Sequence, residues 1–167
     1  RVGKCSHGAN LFLSDDSKEI FKIASELETF NQERKNIEGK MLKKIETNIN
    51  IDLNDPVIVL SGHNWHGGII GIVAARLKDK YNKPTVIISV ENGIGRASAR
   101  SVIGFDIGST IIAAVQSKIL KKGGGHKMAG GFTVEENKIN EFKYFLIKSF
   151  LKIEKKIPKR NHLYFDS

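Results

Sequence analysis

The sequence predicts an α/β fold in which one long N-terminal helix precedes alternating strands and helices. Three observations carry this. Apolar residues recur at helical spacing through residues 16–48. Two short runs, Val57-Ile58-Val59-Leu60 and Thr85-Val86-Ile87-Ile88, flank an amphipathic segment of helical length. Clusters of Gly, Asn, Asp and Pro then punctuate the chain between periodic stretches.

The first element is a helix over 16–48, with Asp16 as N-cap and Glu19 as its capping-box partner. Its stripe runs Ile20, Ile23, Leu27, Phe30, Ile37, Met41 and Ile45, and Arg34 interrupts it. About 33 residues at 1.5 Å each span roughly 50 Å. A helix of that length with one apolar stripe suits a connector between two bodies. A coiled-coil segment is the competing reading, and the interrupted single stripe counts against it.

The pattern changes after Asn54-Asp55-Pro56. The runs at 57–60 and 85–88 read as buried strands, and Gly68 to Lys80 reads as a helix between them through Ile69, Ile72, Val73 and Leu77. A strand–helix–strand of this length is a βαβ unit, so its strands are expected to be parallel. Asn92-Gly93 marks a turn, Gly95 to Ser101 a strand, and Gly104 a loop. Asp106 caps a helix running to about Lys121, and Gly130 to Val134 is a further strand. The last helix runs from Glu135 to Lys155 on Ile139, Phe142, Phe145, Leu146 and Phe150, and Pro158 ends it. Leu163-Tyr164-Phe165 is read as the opening of another strand.

Three clusters could carry chemistry. In the twelve residues Lys121 to Phe132, five are glycine, and His126 follows Gly123-Gly124-Gly125. Successive glycines reach backbone angles closed to other residues, so several N–H groups can converge on an anion. A histidine beside them can donate to a phosphate or lie near a metal. A tight turn before a strand explains the same residues equally well. In the second cluster, strand alternation puts Arg96, Ser98 and Arg100 on one face. Two guanidinium forks around a hydroxyl make a phosphate clamp, the alternative being a solvated strand face. The third cluster, Ser61 to Gly68, follows a strand and opens a helix, the place where α/β sheets bind ligands. His63 and His66 can contact a ligand there or serve as caps. With no carboxylate or cysteine close by they make no metal site alone. Trp65 reads as core rather than as a stacking platform.

The formal net charge is +9 on 167 residues. Residues 56–134 hold ten Lys/Arg against three Asp/Glu, whereas residues 15–46 hold seven against eight. A basic surplus centred on the glycine-rich region points to a polyanion, nucleic acid above all. Cys5 is the single cysteine, so an intrachain disulfide is excluded and a cytoplasmic setting is expected. No apolar run reaches the roughly 20 residues of a bilayer span, so no membrane partner is expected. Arg1-Val2-Gly3-Lys4-Cys5 does not read as a signal peptide, and without an initiator methionine the chain is expected to be part of a longer protein.

These residues add up to a resemblance. Trp65-His66 with Gly68-Ile69-Ile70-Gly71-Ile72-Val73-Ala74-Ala75-Arg76-Leu77 resembles the opening block of the DHH-associated domain. Ser98-Ala99-Arg100-Ser101 and Gly123-Gly124-Gly125-His126 with Met128-Ala129-Gly130-Gly131-Phe132 resemble its later blocks. The long helix is similar to the connector of the RecJ family of single-stranded-DNA-specific exonucleases, and Arg1-Val2-Gly3 to the end of that family's preceding DHH domain. The glycine-histidine block is shared with phosphodiesterases of oligoribonucleotides and cyclic dinucleotides, and more loosely with alanyl-tRNA synthetase tails. The connector and the Ser-Ala-Arg-Ser block favour RecJ.

The resemblance implies a mixed β-sheet flanked by helices and a division into 1–14 (end of the DHH domain), 15–50 (connector), 51–156 (DHH-associated nucleic-acid-binding domain) and 157–167 (start of a further domain). It implies that Ser98 and Arg100 hold a DNA phosphate at the 5′ end, with Arg1 assisting. His126 and its glycines would hold a backbone phosphate near the scissile bond. It further implies single-stranded DNA as partner, and Mn2+ or Mg2+ bound by the preceding DHH domain and not by this chain. Such hydrolysis needs metal to activate water, so this chain alone is expected to bind DNA without cutting it. Lys127 departs from the pattern, which has proline there. A phosphodiesterase of the same superfamily and a stand-alone nucleic-acid-binding fragment are the competing readings.

Overall fold

A computed structural model describes residues 17–48 and 51–154. Arg1, Cys5, Asp16, Pro158 and the run Leu163-Tyr164-Phe165 lie outside the described residues, as do segments 1–14 and 157–167 of the expected division.

Helix α1 is Ser17–Asn48. Strand β1 (Ile58–His63), helix α2 (Ile70–Tyr81) and strand β2 (Thr85–Glu91) follow. Next come strand β3 (Ile94–Arg100) and helix α3 (Ile107–Gln116). Strands β4 (Lys122–His126) and β5 (Ala129–Glu135) form a hairpin. A 3-10 turn at Glu136–Lys138 then leads into helix α4 (Ile139–Glu154).

The five strands form one mixed sheet in the order β1-β2-β3-β5-β4. β1 and β2 are parallel, with Ile58 opposite Thr85, as the βαβ pattern predicts; every other pair is antiparallel. β2 sits inside the sheet, and its Val86, Ile87 and Ile88 are fully buried, which explains its unbroken apolar run. One face carries Ile58, Leu60 and Ile87 against α2 and against Met41 and Ile45 of α1. The other carries Val86, Ile88, Ala97, Ala99, Phe132 and Val134 against α3 and α4, with Phe142 and Leu146 fully buried. Each such Ile, Leu or Phe contributes about 1.5–3 kcal/mol by leaving water.

α1 is held mainly by its second half. Ile45 is inaccessible to solvent, whereas Phe21, nearer the start, is 78% exposed. Glu38 is buried and accepts from Arg76 Nε of α2 at 3.1 Å. Lys80 pairs with Glu46, one turn further along α2 and two turns further along α1.

Three expectations need correction. The helix after Asp106 stops at Gln116 rather than near Lys121. Lys118 adopts φ 59°, Ile119 and Leu120 both donate back to the Ala114 carbonyl, and their side chains turn into the core. The triple glycine is not a turn: Gly123, Gly124 and Gly125 lie in β4. Among the described glycines only Gly93 and Gly104 have positive φ, so no nest of converging amides is built from left-handed backbone. Last, β5 runs through Glu135, and α4 begins at Ile139 after the 3-10 turn.

Gly123 and Gly125 of β4 serve close packing instead. A β-carbon on Gly123 would lie 2.5 Å from Phe132 Cβ and 2.8 Å from Ile111 Cγ2. On Gly125 it would lie 2.4 Å from the Ala129 carbonyl oxygen. On Gly108 of α3 it would meet the backbone of Gly125 and His126 at 2.8–2.9 Å. The first turn of α3 therefore rests directly on the backbone of β4, which glycine at position 108 permits.

Candidate nucleic-acid interface

β3 has alternating character. Gly95, Ala97 and Ala99 are buried against the α3–α4 layer, while Arg96, Ser98 and Arg100 face the other way. The predicted one-sided set is thus present. Arg100 Nη1 donates to Ser98 Oγ at 3.2 Å and to the Ala99 carbonyl at 2.8 Å, which holds the guanidinium beside the hydroxyl.

Pairing register extends this face across the next two strands. Arg96 is level with Thr133 and Lys122, Ser98 with Gly131 and Gly124, and Arg100 with Ala129 and His126. Directly paired residues project to the same side of a sheet, with strands about 4.8 Å apart and alternate residues about 6.8 Å apart. The result is a floor of small residues roughly 10 Å by 14 Å, with Arg96, Lys122, Arg100 and His126 at its corners. Gly124 belongs to this floor, and a β-carbon there would meet nothing within 4 Å. Gly123 and Gly125 take the opposite phase, towards α3, by strand alternation.

On the β3 side, a cleft of about 1100 Å³ opens between sheet and helices. Arg96, Ser98 and Arg100 form one wall; the start of α2 from Gly67 to Ile72, with Ala75, forms the second; Leu27, Phe30, Asn31 and Arg34 of α1 form the third. Gly71 lets α2 approach: a β-carbon there would sit 3.1 Å from Ser98 Oγ and 3.2 Å from Arg100 Nη2. The lining holds three arginines and no carboxylate. None of Arg34, Arg96 and Arg100 forms an ion pair with a described carboxylate. Three guanidinium groups sharing a cleft repel one another, and a bound anion relieves that repulsion through charge-assisted, bidentate contacts.

The structure does not bring the two histidines of the β1–α2 segment into this cleft. His63 Nε2 lies 3.3 Å from Glu136 Oε1 and its side chain is largely exposed. His66 Nδ1 accepts from the Gly68 amide at 3.1 Å, a local contact that shapes the entry to α2. Trp65 packs against the α1–α2 core, its indole over Gly62, in agreement with the core reading. His126 is exposed at the end of β4, and its Nδ1 accepts from the Met128 amide at 3.4 Å. Arg34, Asn31 and Gly71 also line the cleft, although the sequence offered none of them as a candidate site residue. The break in the apolar stripe was the signal for Arg34.

Asp106 caps α3 by accepting from the Ser109 amide at 2.9 Å. That hydrogen bond, with help from Lys127, holds its carboxyl below the ordinary range. Among the described residues no three His, Cys, Asp or Glu side chains gather as a metal site, and no helix is long and apolar enough to cross a membrane.

The profile of the DHHA1 domain matches residues 54–152. The single-stranded-DNA-specific exonuclease RecJ of Bacillus subtilis is 31% identical over 146 residues, covering 86% of this chain and 18% of that protein. The same-named protein of Haemophilus influenzae is 32% identical over 152 residues, covering 86% and 26%. The chain thus spans about a quarter or less of the curated relatives it matches. Thermus thermophilus RecJ, solved with Mn2+, superposes with a TM-score of 0.78 at 27% identity, covering 88% of this chain and 22% of that one; it has also been solved with Mg2+.

Proposed function

The chain belongs to the DHHA1 domain family, and from that premise we propose that it is the DNA-binding part of a RecJ-like 5′→3′ single-stranded-DNA exonuclease. The observation that carries the reading is the cleft lined by Arg34, Arg96, Ser98 and Arg100 without a carboxylate, beside a floor of small residues with basic corners.

Arg100 and Ser98 hold the 5′ phosphate, and Arg96 adds a second fork. The strand that follows crosses the floor over Gly131 and Gly124, where the absence of side chains lets a sugar-phosphate backbone lie close to the sheet. His126, two strands from Arg100 and about 10 Å away, meets a backbone phosphate near the scissile bond. A preceding DHH domain holds Mn2+ or Mg2+, which supplies an activated water and neutralises developing charge. The whole protein acts in DNA repair and recombination. This chain binds and orients DNA without cutting it.

The test uses the 167-residue chain. It should bind oligothymidylate with an affinity that falls as salt rises, because phosphate contacts release counterions. Arg100→Ala should weaken binding of the 5′-phosphorylated oligomer by about 10- to 150-fold, the worth of one charge-assisted contact, and the 5′-hydroxyl oligomer much less. Lys152→Ala, on α4, should weaken both alike. Equal losses for both oligomers with Arg100→Ala would sink the 5′-end reading. Manganese-dependent nucleotide release by the chain alone would sink the binding-only reading.

A further inference from the structure

Leu27, Phe30, Arg34, Ile37 and Met41 of α1 follow the 3–4 spacing of an apolar seam, and Arg34 occupies the position where that seam calls for an apolar side chain. It is half-buried. Its described polar contact is neutral, Nη2 to Asn31 Oδ1 at 2.7 Å. Glu38, one turn on, is already engaged by Arg76. A charge drawn inward with no counter-ion among the described residues is disfavoured, and here it is drawn into the cleft that Arg96, Ser98 and Arg100 line from the sheet.

We propose that Arg34 is a phosphate-binding residue of the connector, closing the 5′-phosphate site from the side opposite β3. This rests on the reading of the cleft as that site. A terminal phosphomonoester carries nearly two charges and three acceptor oxygens, enough for forks from both α1 and β3. An internal diester carries only about one charge, a poorer match for three guanidinium groups. The site is therefore split between two elements, and occupancy ties the middle of α1 to the sheet.

The experiment compares Kd for 5′-phosphorylated and 5′-hydroxyl oligothymidylate, together with thermal unfolding, for the wild-type chain, Arg34→Leu, Arg34→Lys and Arg100→Ala. Arg34→Leu completes the apolar seam, so its melting temperature should be equal to or above wild type, while the preference for the phosphorylated oligomer falls about fivefold or more, one charge-assisted contact being lost. Arg34→Lys, which keeps the charge and loses the fork, should retain an intermediate preference. Arg34→Leu that keeps the full preference while Arg100→Ala loses it overturns the proposal and leaves the 5′-end reading standing. So does a loss that is the same for both oligomers. A wild-type chain with no preference overturns the 5′-end reading, and this proposal with it.

Discussion

A β-carbon on Gly71 would lie 3.1 Å from Ser98 Oγ: α2 reaches the polar face of β3 at a position that carries no side chain. The same β-carbon would lie 3.2 Å from Arg100 Nη2. Gly71 thus lets α2 stand close to the polar face of β3 and narrows the cleft between them.

Gly71→Ala separates the cleft from the fold. The atoms it presses on are side-chain ends, which can move, and alanine gains up to about 1 kcal/mol of helix propensity over glycine. Stability should therefore stay within about 1 kcal/mol of wild type. Affinity for 5′-phosphorylated oligothymidylate should fall several-fold as Ser98 and Arg100 are displaced. Unchanged affinity in a direct titration would show that the ligand does not need that arrangement.

The glycines of the α3–β4 contact should divide sharply. Gly108→Ala drives a methyl into the backbone of Gly125 and His126, which cannot step aside. Overpacking of this kind costs about 1–3 kcal/mol. Gly124→Ala meets nothing within 4 Å and should change stability by less than about 1 kcal/mol, while on the proposed reading a methyl on the floor should weaken DNA binding. Chemical denaturation of both variants checks the contrast. Equal destabilisation would mean that Gly124 has a packing role that the sheet geometry does not show.

Much of this architecture was legible in the chain, because local pattern and long-range packing agree there. Val57–Leu60 and Thr85–Ile88 are apolar without interruption and emerge as parallel neighbours bridged by α2. Arg96, Ser98 and Arg100 alternate with small residues and do share a face. β4 was not legible: Lys-Gly-Gly-Gly-His has poor strand propensity, and it is a strand because β5 pairs with it and α3 needs its bare backbone. The end of α3 was hidden for a similar reason. No glycine marks Lys118, and the chain leaves the helix because Ile119 and Leu120 bury themselves in the core. For the site, register places His126 level with Arg100, a relationship that sequence separation cannot reveal. Arg34 was visible only as a flaw in a stripe.

Asp106 gives the fold an acid-sensitive contact. Its carboxyl, held down chiefly by the Ser109 amide, ionises below its ordinary value of 3.8. A depressed carboxyl stabilises the folded chain at pH above that ordinary value, and the contribution is lost as pH falls through the lower folded value. Asp106→Asn keeps an acceptor for the cap but does not titrate. Its melting temperature should lie below wild type at pH 7, and the gap should close in strong acid. A gap that stays constant from pH 7 to strong acid would remove Asp106 from the account.

His126 offers the most direct contrast between structure and chemistry. It lies at the end of the row Arg100–Ala129–His126, exposed, with one long hydrogen bond from Met128 to its Nδ1. In that tautomer Nε2 carries the proton and faces outward as a donor. Little of the fold depends on it, so His126→Ala should leave stability within about 0.5 kcal/mol of wild type. On the proposed reading, in a longer protein that also carries the metal-holding domain, a donor to the reacting phosphate would act most strongly as charge develops there. Its loss should lower the single-turnover cleavage rate by about 10²–10³ with little change in DNA affinity. Cleavage, affinity and unfolding measured on the same variant decide the matter. Preserved turnover with a lowered melting temperature would make His126 a residue of the β4–β5 turn and take it out of the catalytic site.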